Sequence, residues 1–200
     1  MKQLTYLLFL ITLFFFSGCA SNYHIISPNQ LYYTSQNEND GVSLSYKYNV
    51  LSKKYAKKEE KNGIHLVAVK ITNNSQKDMV FGEDIKLVYD NGNEVFILHN
   101  KEVFKSLKQH PAYYLFYLLL TPMQLITNNS QTPIGLVVGP GVAGGNLILA
   151  ASANKKFKSE LFTYNLHGVV IRQCETKFGL IGIISNNYDA IKIKLIKTEG

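Results

Sequence analysis

Between Val42 and Asn49 the chain alternates strictly. Val42, Leu44, Tyr46 and Tyr48 fall on one side of the pattern and Ser43, Ser45, Lys47 and Asn49 on the other, a period of two that suits a strand with one buried face. Similar segments recur. Residues 64–72 (IHLVAVKIT) are rich in β-branched side chains and stop at Asn73-Asn74-Ser75, where turn chemistry takes over; they read as the second half of a hairpin. Residues 79–81 are short and apolar, 85–89 (IKLVY) alternate, and Asp90-Asn91-Gly92-Asn93 tolerates positive φ before 94–98 returns as a second hairpin. Residues 31–34 are a possible first strand. Residues 169–172, 178–184 and 190–196 are three more, with Lys192 and Lys194 on the wet face of the last and 185–189 as the turn before it. Short strands between Asn, Gly and Asp turns predict a mainly β protein, an antiparallel sandwich.

The middle departs from that pattern. Val103, Phe104 and Leu107 have the spacing of a short amphipathic helix over 100–109, ended before Pro111. Residues 112–120 (AYYLFYLLL) are apolar without a break, 127–132 make a polar turn, and 133–153 run without a charge before a helix continues through Phe157, Leu161 and Tyr164. These features predict an apolar, Gly-rich helical hairpin inserted at about 100–165. Gly135 and Gly139, like Gly141 and Gly145, are four apart and on a helix would form a flat face that admits a close neighbour. The spacing resembles a glycine zipper. Pro140 would interrupt a continuous helix, so a bent hairpin packed on the sandwich is preferred to membrane insertion. Tyr113, Tyr114, Phe116 and Tyr117 suit a membrane interface or a partner surface, or else a helix buried all round.

Gly139, Gly141 and Gly144 also spell G-x-G-x-x-G after strand-like 134–138. A dinucleotide site needs an acidic residue about 20 positions further on. The first acid near the end of the next strand is Glu175, which is too far along, and no cofactor is expected. Catalysis finds little support either. His24, His65, His99, His110 and His167 are scattered, without the spacing of a metal site. Cys174 and His167 are seven apart, an odd offset that separates them across a strand; Cys174 reads as a small buried side chain. No enzyme and no metal are expected.

At the N-terminus, Lys2, an apolar run over 4–16 and the small residues Ser17-Gly18 have the build of a secretory signal. Because the next residue is Cys19, the segment resembles the bacterial lipobox. The resemblance implies that 1–18 is a lipoprotein signal peptide, that Cys19 is acylated by palmitate-type chains, and that the membrane is a partner through this lipid. Residues 19–30 then form a lipidated tether and 31–200 a single domain. Ala20-Ser21, with no Asp, resembles the enterobacterial pattern for the outer membrane, and the lack of acids after Cys19 implies its periplasmic face. With Cys19 acylated, Cys174 has no disulfide partner. Losing Lys2 takes the net charge from +7 to +6. The Lys-rich run at 53–61 carries its own acids and reads as a solvated loop, or as an attraction to anionic headgroups of about 1 kcal/mol per basic residue. Nucleic acid is a poor partner for an exported chain.

The runs HLVAVKITNNS and DIKLVYDNGNEV, followed by a closing strand pair, resemble the immunoglobulin-like modules of small bacterial envelope lipoproteins, several of the Bacteroidota type. The resemblance covers about half of the mature chain, and Gln173-Cys174-Glu175-Thr176 stands where such modules often have a Pro-Gly turn. It implies a lipid-anchored, non-enzymatic envelope protein. Such a protein would act as a structural or interaction module, its hairpin docking on an envelope protein partner or on the bilayer. The alternative is a lipid- or small-molecule-binding protein with a pocket between hairpin and sheet.

Overall fold

The chain runs β1 (Ser35–Asn39), β2 (Val42–Lys47), α1 (Lys53–Asn62), β3 (Ile64–Asn73), β4 (Met79–Val80), β5 (Ile85–Tyr89), β6 (Ile97–Leu98), α2 (Asn100–Leu107), β7 (Leu125–Thr127), β8 (Ser130–Thr132), α3 (Gly135–Thr163), β9 (Val170–Ile171), β10 (Glu175–Ile184) and β11 (Ile191–Leu195). A computed structural model describes residues 19–127 and 130–196, apart from the Thr127 side chain. The signal peptide read at 1–18 and the last four residues of the expected domain lie outside these. Two units emerge: a larger one of Tyr23–Lys108 with Lys156–Gly200, and a smaller one of Gln109–Lys155 with the residues before Tyr23.

In the larger unit, an antiparallel sheet has the order β1-β2-β3-β10-β6, and β11-β5 and β4-β9 form separate antiparallel pairs. The alternation at 42–49 does what its period requires. Val42, Leu44 and Tyr46 join Val67, Val69 and Ile71 of β3, Ile181 and Ile183 of β10, Ile85 and Leu87 of β5, and Ile191 and Ile193 of β11 in one core. The two sheets are also stitched by side chains. Asn37 accepts the Ile193 N–H at 2.9 Å and donates to the Ile191 carbonyl at 2.7 Å, while Tyr46 Oη accepts the Ile191 N–H at 3.1 Å. These bonds occupy backbone groups on β11 that would otherwise stand as an open edge.

The other face of the five-stranded sheet is covered too. β3 is buried from Ile64 to Val69 without alternation, the pattern of a strand with both faces packed. Against the outward side lie aromatic rings from the N-terminal segment and two helices: Tyr23, Tyr55 and Phe157, with centroids 5.1 to 5.3 Å apart. β10 admits this layer through Gly182. A Cβ on Gly182 would stand 2.2 Å from Val103 Cγ2 of α2; on the opposite, core-facing side, beside Ile181 and Ile183, a Cβ on Gly179 would stand 2.2 Å from Leu166 Cδ1.

This helical layer corrects the mainly β expectation, because the protein is 34% helical and 31% strand. Part of it comes from the Lys-rich run, which is a helix rather than a loop. Tyr55 and Glu59, four residues apart, turn one face of α1 inward, and Gly63 at φ 62° ends it in the left-handed conformation that glycine adopts without strain. Other boundaries shift. The first strand is 35–39, not 31–34. After the turn at 90–93 only Val88 and Glu94 bridge, and β6 pairs with β10 instead. Residues 185–189 do not close a hairpin; they carry the chain from β10 to β11, which pairs with β5. Residues 23–30, read as tether, contribute Tyr23, Ile26 and Pro28 to buried positions.

In the smaller unit, Pro111–Leu120 winds as 3₁₀ turns, β7 and β8 form a short hairpin, and α3 begins at Gly135. The bent helical hairpin is corrected here: Pro140 lies inside α3, which continues through it. In a helix its missing N–H removes only the bond to the carbonyl of Leu136, close to the helix start. Residues 135–138 are therefore helical, and all three glycines of the G-x-G-x-x-G motif lie within the helix rather than on a strand-to-helix turn.

Candidate functional site

From Gln109 to Asn154 the chain contains no Asp, Glu, Lys or Arg. In a water-facing helix, large apolar side chains are held inside and polar ones outside. The smaller unit reverses this arrangement. On its stretch of α3, up to Lys155, the buried residues are Gly135, Gly139, Ala143, Ala150, Ala153 and Asn154, whereas Val137 is 77% exposed and Ile148 68% exposed. An eighteen-residue window of this helix has a mean hydropathy of 1.6 with 22% of it buried, and the helix is long and apolar enough to cross a membrane.

The segment before α3 repeats the arrangement. A 3₁₀ helix has three residues per turn, so side chains three apart share a face. Tyr113, Phe116 and Leu119 are 66%, 70% and 75% exposed. Tyr114 and Tyr117 share another face. Tyr114 is buried and its hydroxyl lies 3.4 Å from Gln109 Oε1; its ring lies parallel to that of Tyr117, with centroids 6.5 Å apart. A helix buried on all sides is thereby corrected. The four aromatics divide between an outward pair, Tyr113 and Phe116, and an inward pair.

The four glycines divide as well. A Cβ on Gly135 would stand 2.3 Å from the Leu120 carbonyl oxygen, and one on Gly139 would stand 2.8 Å from Thr121 Oγ1. Those two positions let α3 approach the 120–123 turn. Gly141 and Gly145 face open space.

Cys19 is exposed and joined in no disulfide, and the chain after it is fastened at once. The Ala20 N–H donates to Asn146 Oδ1 of α3 at 2.6 Å; the Ser21 N–H donates to Gln109 Oε1 at 3.1 Å, and Gln109 Nε2 donates back to the Ser21 carbonyl at 2.7 Å. Gln109 is itself fixed by Asn154, which accepts its N–H at 2.8 Å and donates to its carbonyl at 2.9 Å. The sequence marked none of these amides, because a buried Asn or Gln in an uncharged run looks like any loop residue.

In the larger unit the N-terminal segment is latched in turn. Buried Glu160 on α3 accepts from Tyr23 Oη at 2.7 Å, from the Ser27 N–H at 2.7 Å, and from the Ile26 N–H at 3.0 Å with each of its two oxygens. Burial and this carboxylate push the Tyr23 hydroxyl far above its ordinary range. Its position between Phe157 and Leu161 on a buried face was the one available signal.

Glu59 is the second buried acid. Its Oε1 accepts the Leu66 N–H at 2.6 Å, yet burial outweighs that bond and raises its pKa to about 7. The carboxyl then binds a proton more readily in the folded state than in the unfolded one, so its stabilising contribution is complete below about pH 4.5 and is lost as pH rises through about 7. The expected fall in unfolding free energy across that window is about 3 kcal/mol. His65, whose pKa burial lowers, acts in the opposite direction. The difference between the native protein and Glu59→Gln in urea melts at pH 5 and pH 8 isolates the Glu59 part: the variant should lose the downward slope.

Two expectations about chemistry also change. His99 and His167, far apart in sequence, come together with ring centroids 5.4 Å apart, at a cleft of about 450 Å³ floored by Phe81, Leu180 and Phe162. Among the described residues, no three His, Cys, Asp or Glu side chains group so as to hold a metal ion. Cys174 is exposed rather than buried, at φ 60° in the turn before β10, with its N–H bonded to the Asn73 carbonyl at 2.7 Å. No family model matches this chain, and no match is found among curated proteins or solved structures.

Proposed function

We propose that this chain is a lipid-anchored, non-enzymatic protein of the bacterial envelope, held by acyl chains on Cys19 at the periplasmic face of the outer membrane. It acts there as a structural or interaction module carried on an immunoglobulin-like sandwich. The sandwich reading is supported by two antiparallel sheets that share one core and by the crossing of the chain between them after β10.

The observation that carries the proposal is the way the residues directly after Cys19 are held. Cys19 is exposed, its next two residues are bonded into the smaller unit, and residues 23–27 are bonded to Glu160. A lipid on Cys19 would therefore hold the smaller unit at the bilayer with almost no slack. A single acyl chain gives only marginal binding, so a stable anchor takes a second chain or another membrane contact.

The test is labelling with a palmitate analogue in cells producing the native chain or Cys19→Ala. The native protein should take up label and stay with membranes through washes that strip peripheral proteins, and Cys19→Ala should take up none. An unlabelled native protein would overturn the proposal. A second reading, a small-molecule-binding protein, draws support from the His99–His167 cleft. Native mass spectrometry that finds only the bare polypeptide mass would count against it.

A further inference from the structure

The smaller unit exposes aromatic and aliphatic side chains on three successive segments: Tyr113, Phe116 and Leu119 on the 3₁₀ turns, Leu125 and Ile126 on β7, and Leu136, Val137 and Ile148 on α3. Exposed apolar surface on this scale marks a site that something else covers. We propose that its occupant is the hydrocarbon region of a lipid bilayer, in which this face is embedded beside the anchor. The inference deepens the lipid-anchor reading and rests on it.

Three features select lipid over protein. The first is continuity with the anchor. Cys19 belongs to the same unit as the apolar face, and the residue after it is bonded to Asn146 on the helix that carries Val137 and Ile148. Acyl chains on Cys19 would place this unit against a membrane, and the apolar run at 4–16, were it retained, would do the same. The second is the absence of charge from Gln109 to Asn154. Protein interfaces take register and specificity from charged and hydrogen-bonding groups around an apolar centre, whereas a lipid phase requires no register and penalises charge. The third is the reversal of size along α3 from Gly135 to Ala153, the part that lies in the smaller unit. With small residues buried and large ones outward, a helix gains close packing on its inner side, and its outer side makes sense where the solvent is itself apolar. Lys155, Lys156 and Lys158 follow where the uncharged stretch ends, a placement suited to anionic headgroups.

The chain contains no tryptophan, so one introduced ring becomes a sole reporter. Full-length protein purified from membranes would carry Phe116→Trp, Val137→Trp or Ile148→Trp, all at exposed positions, with Tyr32→Trp, at a position 81% exposed in the larger unit, as the water-exposed reference. Each is reconstituted into phosphatidylethanolamine/phosphatidylglycerol vesicles with plain or brominated acyl chains. Emission from the three test positions should shift to the blue and be quenched about two-fold by the brominated chains, as expected of rings in contact with lipid. Water-like, unquenched emission from protein whose N-terminal mass shows an acylated Cys19 would overturn the inference and leave the anchor standing. Blue-shifted emission without quenching would also overturn it, because another protein or a second copy would then cover the face. An unacylated Cys19 on protein that washes off the vesicles would overturn both.

Discussion

Replacing Glu160 with alanine should cost the larger unit about 4 kcal/mol, because three donors lose their acceptor at once and a buried donor without a partner costs about 1–3 kcal/mol. Those donors are Tyr23 Oη and the N–H groups of Ile26 and Ser27. The loss is a large fraction of the roughly 5–15 kcal/mol that holds a domain of this kind together. Glu160→Gln should be milder, since its carbonyl oxygen still accepts one or two of these bonds. Urea denaturation gives the magnitudes, and limited proteolysis gives the location. In Glu160→Ala the segment around residues 23–30 should become the first site of cleavage, and lipid at Cys19 would then hold the larger unit by a loose strand. If cleavage begins elsewhere with the same loss of stability, Glu160 is not the latch.

Gly182→Leu should be comparably damaging, by about 3 kcal/mol, the upper range for forcing volume into a packed interior. At this position even the first added carbon would stand 2.2 Å from Val103 Cγ2, and the helix carrying Val103 must move off β10. The pairing is testable in isolation. Gly182→Ala should destabilise the protein, and adding Val103→Ala should recover part of that loss, with a coupling of roughly 1 kcal/mol between the two sites. Additive losses would mean that α2 does not rest on Gly182.

The readable and unreadable parts of this fold follow from what each residue has to satisfy. β2, β5 and β11 were plain because each has one buried and one wetter face, and Lys192 and Lys194 lie outward on β11 as the alternation requires. The run at 64–69, apolar but for His65, already carried the second clue, burial on both faces, but nothing local shows that the outer cover is helical. The run at 53–62 concealed its role because its inward face holds only Tyr55 and Glu59, and a buried glutamate among lysines looks solvated until Leu66 is seen to donate to it. Pairings such as β6 with β10 depend on chain separations that no local pattern encodes.

In the smaller unit the four-residue glycine spacing was legible, and its use was not. Gly135 and Gly139 meet the 120–123 turn while Gly141 and Gly145 meet nothing, a division set by where the preceding segment lies. Pro140 was overweighted, because the cost of a proline depends on how near the helix start it falls. An outward place for Phe116 was one of the readings its aromatic cluster allowed, whereas the outward display of Val137 and Ile148 could not be read at all, since hydrophobicity alone assigns such residues to an interior.

The account turns on the chemistry at Cys19, and mass spectrometry of the N-terminal peptide from membrane-purified protein addresses it directly. The peptide should begin at Cys19, with the first 18 residues gone, and carry the added mass of a diacylglyceryl group with or without a further acyl chain. A mature N-terminus at any other residue, or an unmodified Cys19, would contradict it.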